Sequence, residues 1–208
     1  MGFGVLFIGY FFTYIGAITP LSTFCYVIGT GIIIYSLKNL IYENKIFGAT
    51  MITAIALELV SIVKMVMSVL GYVNNLTYSV FNHIQGYISP LLSILLIIAI
   101  YFIAKQVGLI KVQTKAIVDL VLLGIYVVSA VIYNLVNSEF AKQRLFVINV
   151  ISLLICTIFT LIIIFNCYAS ICYEGDENME KETGNKPLDY LNKALNKVMN
   201  KNKTGKKK

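Results

Sequence analysis

The sequence predicts an all-α integral membrane protein of six transmembrane helices, with the N-terminus and C-terminus cytoplasmic and a short cytoplasmic amphipathic tail helix. Three observations point there. Hydrophobic residues make up 58% of the 208-residue chain, at a mean hydropathy of +0.81, and they gather into runs about as long as a bilayer is thick. The long hydrophilic stretch begins only after about residue 173. Basic residues divide unequally between the two sets of connecting loops. Residues 1–173 therefore read as one six-helix transmembrane domain, and 174–208 as an acidic linker plus a basic amphipathic tail.

Residues 3–37 carry no charge. A single helix of that length would span about 50 Å at 1.5 Å per residue, against a hydrocarbon core of roughly 30 Å. Thr19-Pro20 supplies the break, giving one helix near 3–18 and a second near 21–41. Apolar runs near 46–71, 87–104, 116–136 and 145–171 complete the six. Lys38 and Lys45, then Lys105, Lys111 and Lys115, then nine lysines of the tail place fourteen basic residues on one side. Only Lys142 and Arg144 fall on the other, so the basic side is the cytoplasmic one. The segment Tyr72 to Tyr87, "YVNNLTYSVFNHIQGY", reads as an outer loop whose aromatic residues form an interfacial belt. Its Asn75-Leu76-Thr77 matches a glycosylation sequon, which matters only in a secretory pathway.

The net charge of +7 invites a nucleic-acid partner, but nine of the seventeen basic residues are lysines between Lys181 and Lys208. A lysine tail beside a membrane meets anionic lipid, and no nucleic acid is expected. Cys25, Cys156, Cys167 and Cys172 lie in or beside apolar runs without C-x-x-C pairing, so neither a disulfide framework nor a metal site follows. The first residues lack a basic n-region and no cleavage site follows, which argues against a removed signal peptide. Position 6 is Leu6 rather than Ser or Thr, which argues against myristoylation.

Two charges stand within the third helix, Glu58 and Lys64 in "ALELVSIVKMV". A charge at bilayer depth costs at least about 2.5 kcal/mol, so a partner or a use is expected. Thr50, Lys64 and Gly71 share one seven-residue repeat, broken by Leu57, and Ala54, Ser61 and Ser68 share the companion repeat. Together they make a small, polar stripe that turns Lys64 toward the bundle. Taking Ile46 as the start, Glu58 lies about 18 Å deep, near the midplane, and Lys64 about 27 Å in, where snorkelling to headgroups is the plain alternative. The two are too far apart around the helix for an easy ion pair.

Helix five repeats a seam of Asp119, Tyr126, Tyr133 and Asn137, and helix six a stripe of Asn149, Ser152, Cys156 and Thr160. If helices three and five are neighbours, Tyr126 is level with Glu58 and Tyr133 with Lys64. Asp119 falls in the first turn of helix five, four residues after Lys115, where interfacial water accommodates it and a structural role suffices.

The predicted intramembrane polar site is Glu58, Lys64, Ser61, Tyr126, Tyr133 and Asn149. It would bind or conduct a small solute or ion. The rival class is a non-transporting scaffold or regulatory subunit of a membrane complex, since small-residue seams pack helices in any polytopic protein. An enzyme is not expected. His83 is the single histidine, and no H-E-x-x-H, G-x-S-x-G or Walker lysine loop is present. No cofactor is implied, and the expected partners are the bilayer, a second copy of the chain or another membrane protein.

The abundance of Ile, Asn, Lys and Tyr without Trp, and the stretches "MGFGVLFIGYFFTYI" and "IFNCYASICYEGDE", resemble the uncharacterised small multi-span membrane proteins of low-GC Gram-positive bacteria. That resemblance implies a bacterial plasma membrane and carries no functional residues. Size and topology are also similar to the six-span substrate-binding subunits of energy-coupling-factor importers. Helix one lacks their alanine-spaced docking motif, so the similarity is one of architecture. In the tail, Leu188, Leu191, Leu195 and Val198 form one apolar stripe, and Lys193, Lys197 and Lys201 recur on another face. This is the pattern of a helix lying on an anionic membrane surface.

Overall fold

The computed structural model describes residues 2–14, 22–136 and 138–170. The chain divides into a unit Met1–Ile171 and a unit Cys172–Lys208. The expected tail helix, with Leu188, Leu191, Lys193, Leu195 and Lys197, lies outside the described residues, as do the Thr19-Pro20 break and Asn137.

The described residues form α1 (Gly2–Tyr14), α2 (Ser22–Leu40), α3 (Ile46–Val69), α4 (Leu76–Gln106), α5 (Ile110–Leu135) and α6 (Glu139–Ser170), with a 3-10 turn at Tyr72–Asn74. The last five helices are long and apolar enough to cross a bilayer, which fits a multi-pass membrane protein. The thirteen residues of α1 rise about 20 Å at 1.5 Å each.

Each helix packs on its neighbour in the chain, α6 closes the ring against α1, and α4 also reaches α6. Because the connections are short, the start of α1, the α2–α3 and α4–α5 connections and the end of α6 share one end, with Lys38, Lys45, Lys105, Lys111 and Lys115. That end is here the basic end; the end holding the α3–α4 connection is the far end.

Three helices start earlier than hydropathy predicts. α4 begins at Leu76 rather than near 87, so most of the expected outer loop is helix. Asn75 explains the start: its side chain accepts the Thr77 N–H at 3.1 Å as an N-cap, just after Gly71 turns the chain at φ 79°. α5 begins at Ile110 rather than near 116, and Gln113 ties that start to the end of α4 by donating to the Ala104 carbonyl at 3.1 Å. α6 begins at Glu139 rather than near 145, with Arg144 stacked over Phe140 one turn back at 4.3 Å. Hydropathy sees the bilayer-length core of a helix, whereas capping and helix propensity carry it on through polar residues.

The α1–α2 pair is a backbone-to-backbone contact. A Cβ on Gly9 would stand 2.8 Å from the Ile33 nitrogen, and one on Gly29 would stand 2.5 Å from the Thr13 nitrogen. Only glycine permits that approach, the close packing small residues allow between membrane helices. Ser36 adds a hydrogen bond to the Gly2 carbonyl at 2.5 Å.

Candidate functional site

The small-residue stripe of α3 is its buried face. Thr50, Ala54, Leu57, Ser61 and Lys64 are all buried, so Leu57 belongs to the face it was expected to interrupt. Ser61 bonds the Leu57 carbonyl of its own helix at 2.7 Å. Lys64 turns inward, and α4 receives it: the ammonium donates to Asn82 Oδ1 at 2.8 Å and to Gln85 Oε1, and it lies 5.5 Å from the centre of the Tyr78 ring. These acceptors exist because α4 extends about eleven residues beyond the apolar run, placing two amides three residues apart on one face. No carboxylate is needed.

Glu58 is half-buried at the edge of the stripe and is met by α2, where the Thr30 hydroxyl bonds its carboxyl. Helix five is not its neighbour, for α3 packs on α2 and α4 and makes no contact with α5. The expected levels of Glu58 with Tyr126 and Lys64 with Tyr133 therefore do not form. Tyr126 packs instead against the α4–α5–α6 cluster of Ile97, Ala116, Leu123 and Cys156. Tyr133 is half-buried two turns further along α5. Asn149 of α6 accepts from Ser129 of α5. The six residues predicted as one site thus fall into three places: the α2–α3 edge, the α3–α4 clasp around Lys64, and the α5–α6 seam.

A different set of polar side chains converges inside the ring. On α1, Tyr10 and Tyr14 stack with ring centres 4.3 Å apart. Both hydroxyls meet Ser93 of α4, at 3.0 and 2.9 Å, and Tyr14 also meets Ser89 Oγ at 3.0 Å. Ser89 and Ser93 bracket Pro90, which leaves the Gly86 carbonyl without its usual N–H. On α5, Asp119 is wholly buried, nine residues after Ile110 rather than in a first turn. Thr160 of α6 donates to its Oδ2 at 2.7 Å, whereas Oδ1 has no partner. Tyr10, Asp119 and Thr160 stand at similar depths, about 12 to 15 Å from the basic end of their helices. Tyr26 of α2 has a buried hydroxyl without a hydrogen-bond partner.

A buried carboxylate with an unmet oxygen is a costly arrangement, because desolvation penalises its charge and only one of its oxygens is bonded. Sequence reasoning had Asp119 and Thr160 on polar seams but assigned Asp119 to interfacial water. It passed over Tyr10, Tyr14, Ser89 and Ser93 entirely. Their signal was present as two pairs at i, i+4 spacing, each presenting hydroxyls on one helical face. Among the described residues no three His, Cys, Asp or Glu side chains converge as a metal site. No protein-family model, curated protein or solved structure matches the chain.

Proposed function

We propose that this chain is a non-enzymatic, six-span protein of a bacterial plasma membrane that binds or moves a small solute or ion through the polar interior of its helix ring. In this reading both termini are cytoplasmic and the lysine tail rests on anionic lipid. Asp119, wholly buried with one oxygen bonded by Thr160 and the other unmet, is the observation that carries it. Ionisable residues inside a membrane domain mark pathways more often than packing, because packing alone is cheaper with apolar side chains. The centre moves from Glu58, where the sequence points, to Asp119. Glu58 stays at the α2–α3 edge, Ser61 and Lys64 on the α3 face that meets α4, and Tyr126, Tyr133 and Asn149 on the α5–α6 side.

The test is flux from proteoliposomes of purified protein, with protons and then small cations as the driven species. Native protein should conduct one of them, and Asp119→Asn should reduce that flux at least about tenfold, the rate equivalent of one hydrogen bond to a charged group. Thermal unfolding should show the variant still folded. Native protein that conducts nothing, gains no stability from any small ligand and is stabilised only by a co-purifying membrane protein would establish the rival scaffold function. Orientation has its own check. Cysteines placed at Asn75 and Gln113 on a cysteine-free background should differ in labelling by an impermeant reagent on intact cells, Asn75 reacting and Gln113 not.

A further inference from the structure

We infer that Lys64 and the α4 side chains around it form a phosphate-binding site at the far end of the α3–α4 contact, its ligand a lipid head-group phosphate or free phosphate. The site stands apart from the Asp119 pathway, and its test reads no flux.

The fold leaves a positive charge here without a negative one to balance it. Lys64 is only 9% exposed, on the buried face of α3, and the side chains that accept its hydrogens are the amides of Asn82 and Gln85. Among the described side chains no carboxylate bonds the ammonium. Glu58 of the same helix lies six residues back, about 9 Å along the axis, and is bonded by Thr30 of α2. Amide oxygens satisfy the ammonium's hydrogens but leave its charge unbalanced. If the lysine served only to join α3 to α4, a neutral amide in its place would bond Asn82 and Gln85 without bringing a charge to this depth. An anion completes the arrangement.

The surrounding donors suit a tetrahedral anion. An ammonium has three N–H groups, and two of them go to Asn82 Oδ1, at 2.8 Å, and to Gln85 Oε1. The third is left for a ligand. Because an ammonium only donates, it fixes both amides with their oxygens toward it, so each NH2 group turns away and offers its own two donors. Asn82 is exposed, which opens this side of the clasp to the far end. Tyr78, one turn before Asn82 on α4, holds its ring 5.5 Å from the ammonium and brings a hydroxyl to the mouth. Ser68, one turn beyond Lys64 on α3, brings a second. A point charge among donors from several directions matches phosphate, whereas a planar carboxylate is better met by the fork of an arginine.

Depth brings that ligand within reach. Lys64 lies about 27 Å along α3 from the basic end, close to the far edge of a hydrocarbon core roughly 30 Å thick, where lipid phosphates begin. A snorkelling lysine sweeps among passing head groups. This one is held inward by α4, so a single phosphate has to come to it.

The chain contains no tryptophan, so Tyr78→Trp places one indole beside the ammonium and keeps the cation–π approach. The full-length variant is purified in a maltoside detergent, whose head group has no phosphate. Indole fluorescence is followed at constant ionic strength while inorganic phosphate, short-chain phosphatidylglycerol or the diacylglycerol with the same chains is titrated. A saturable change with a phosphate-bearing additive and none with the diacylglycerol is expected. A response confined to the lipid names a head group as the ligand, and a response to inorganic phosphate names the free anion. Adding Lys64→Met should raise the half-saturating concentration at least about tenfold, the equivalent of one hydrogen bond to a charged group. Asn82→Asp tests the site with the lysine in place: it keeps the shape, supplies the missing carboxylate and removes the amide donors. It should raise the unfolding midpoint and abolish the response. The nine tail lysines are the same in every variant, so their own attraction for phosphate cancels from the comparison. No saturable change with either phosphate, an equal change with the diacylglycerol, or an undiminished response in Asn82→Asp overturns the site. Flux lost or kept in Asp119→Asn alters none of these readings.

Discussion

Two carboxylates set deep within the helices, Glu58 and Asp119, lie about 18 and 13 Å from the basic end, and each is met by one threonine of an adjacent helix. Their surroundings differ. Glu58 sits half-buried at the outer edge of the α2–α3 contact, with Thr30 supplying its hydrogen bond and Gly31 beside it, where an added Cβ would stand 3.8 Å from Oε1. Asp119 is enclosed where α5 meets α6, with one oxygen unsatisfied. Depth along a helix therefore does not mark a site. What marks it is the hydrogen-bonding capacity left over after the neighbouring helices close around the group.

The sharpest way to break this contrast is to remove the two threonines. Thr160→Val leaves both Asp119 oxygens without a donor in a closed site and should cost about 2 kcal/mol, read as a lowered unfolding midpoint in detergent. Thr30→Val should cost under about 1 kcal/mol, because Glu58 can turn toward the helix surface. Equal losses would mean that Glu58 is as enclosed as Asp119, and the contrast would be gone.

Lys64→Met comes next in size. It removes two hydrogen bonds and the approach to Tyr78, yet it leaves two amides near the far end where water can satisfy them, so a loss of about 1 kcal/mol is expected. A loss several times larger would show that the clasp holds α3 to α4 against the whole bundle. Glu58→Gln is the smallest. The amide still bonds Thr30, and both unfolding and flux should stay within about twofold of native. A flux lost in Glu58→Gln and kept in Asp119→Asn would return the centre of the pathway to α3.

Much of α3 was legible from spacing alone. Thr50, Ala54, Ser61 and Lys64 form a stripe in the sequence and a buried face in the fold, because helical periodicity fixes which residues share a side whatever packs against it. The partner of that face was not legible. Whether Lys64 meets Tyr133 or Asn82 depends on which helix stands beside α3, and seven-residue seams occur on α5 as well as α3. The α4 extension was hidden for a related reason. "NNLTYSVFNHIQ" is too polar for a bilayer window, yet Asn75 caps it, and Asn82 and Gln85 both turn to Lys64, so a loop by hydropathy is a helix by local bonding.

The sequence by itself determined the class: helices of bilayer length, the basic asymmetry between their ends, and the face that α3 turns inward. These follow from local properties, the apolar content of a window and the 3.6-residue turn, which need no knowledge of neighbours. Only the tertiary structure decided that Tyr10 and Tyr14 of α1 meet Ser93 of α4, that Thr160 of α6 meets Asp119 of α5, and that Glu58 stands apart with Thr30 of α2. The physical reason is that a polar side chain's role in a membrane is set by what remains unsatisfied around it, and that is a property of the ring as a whole rather than of any one helix.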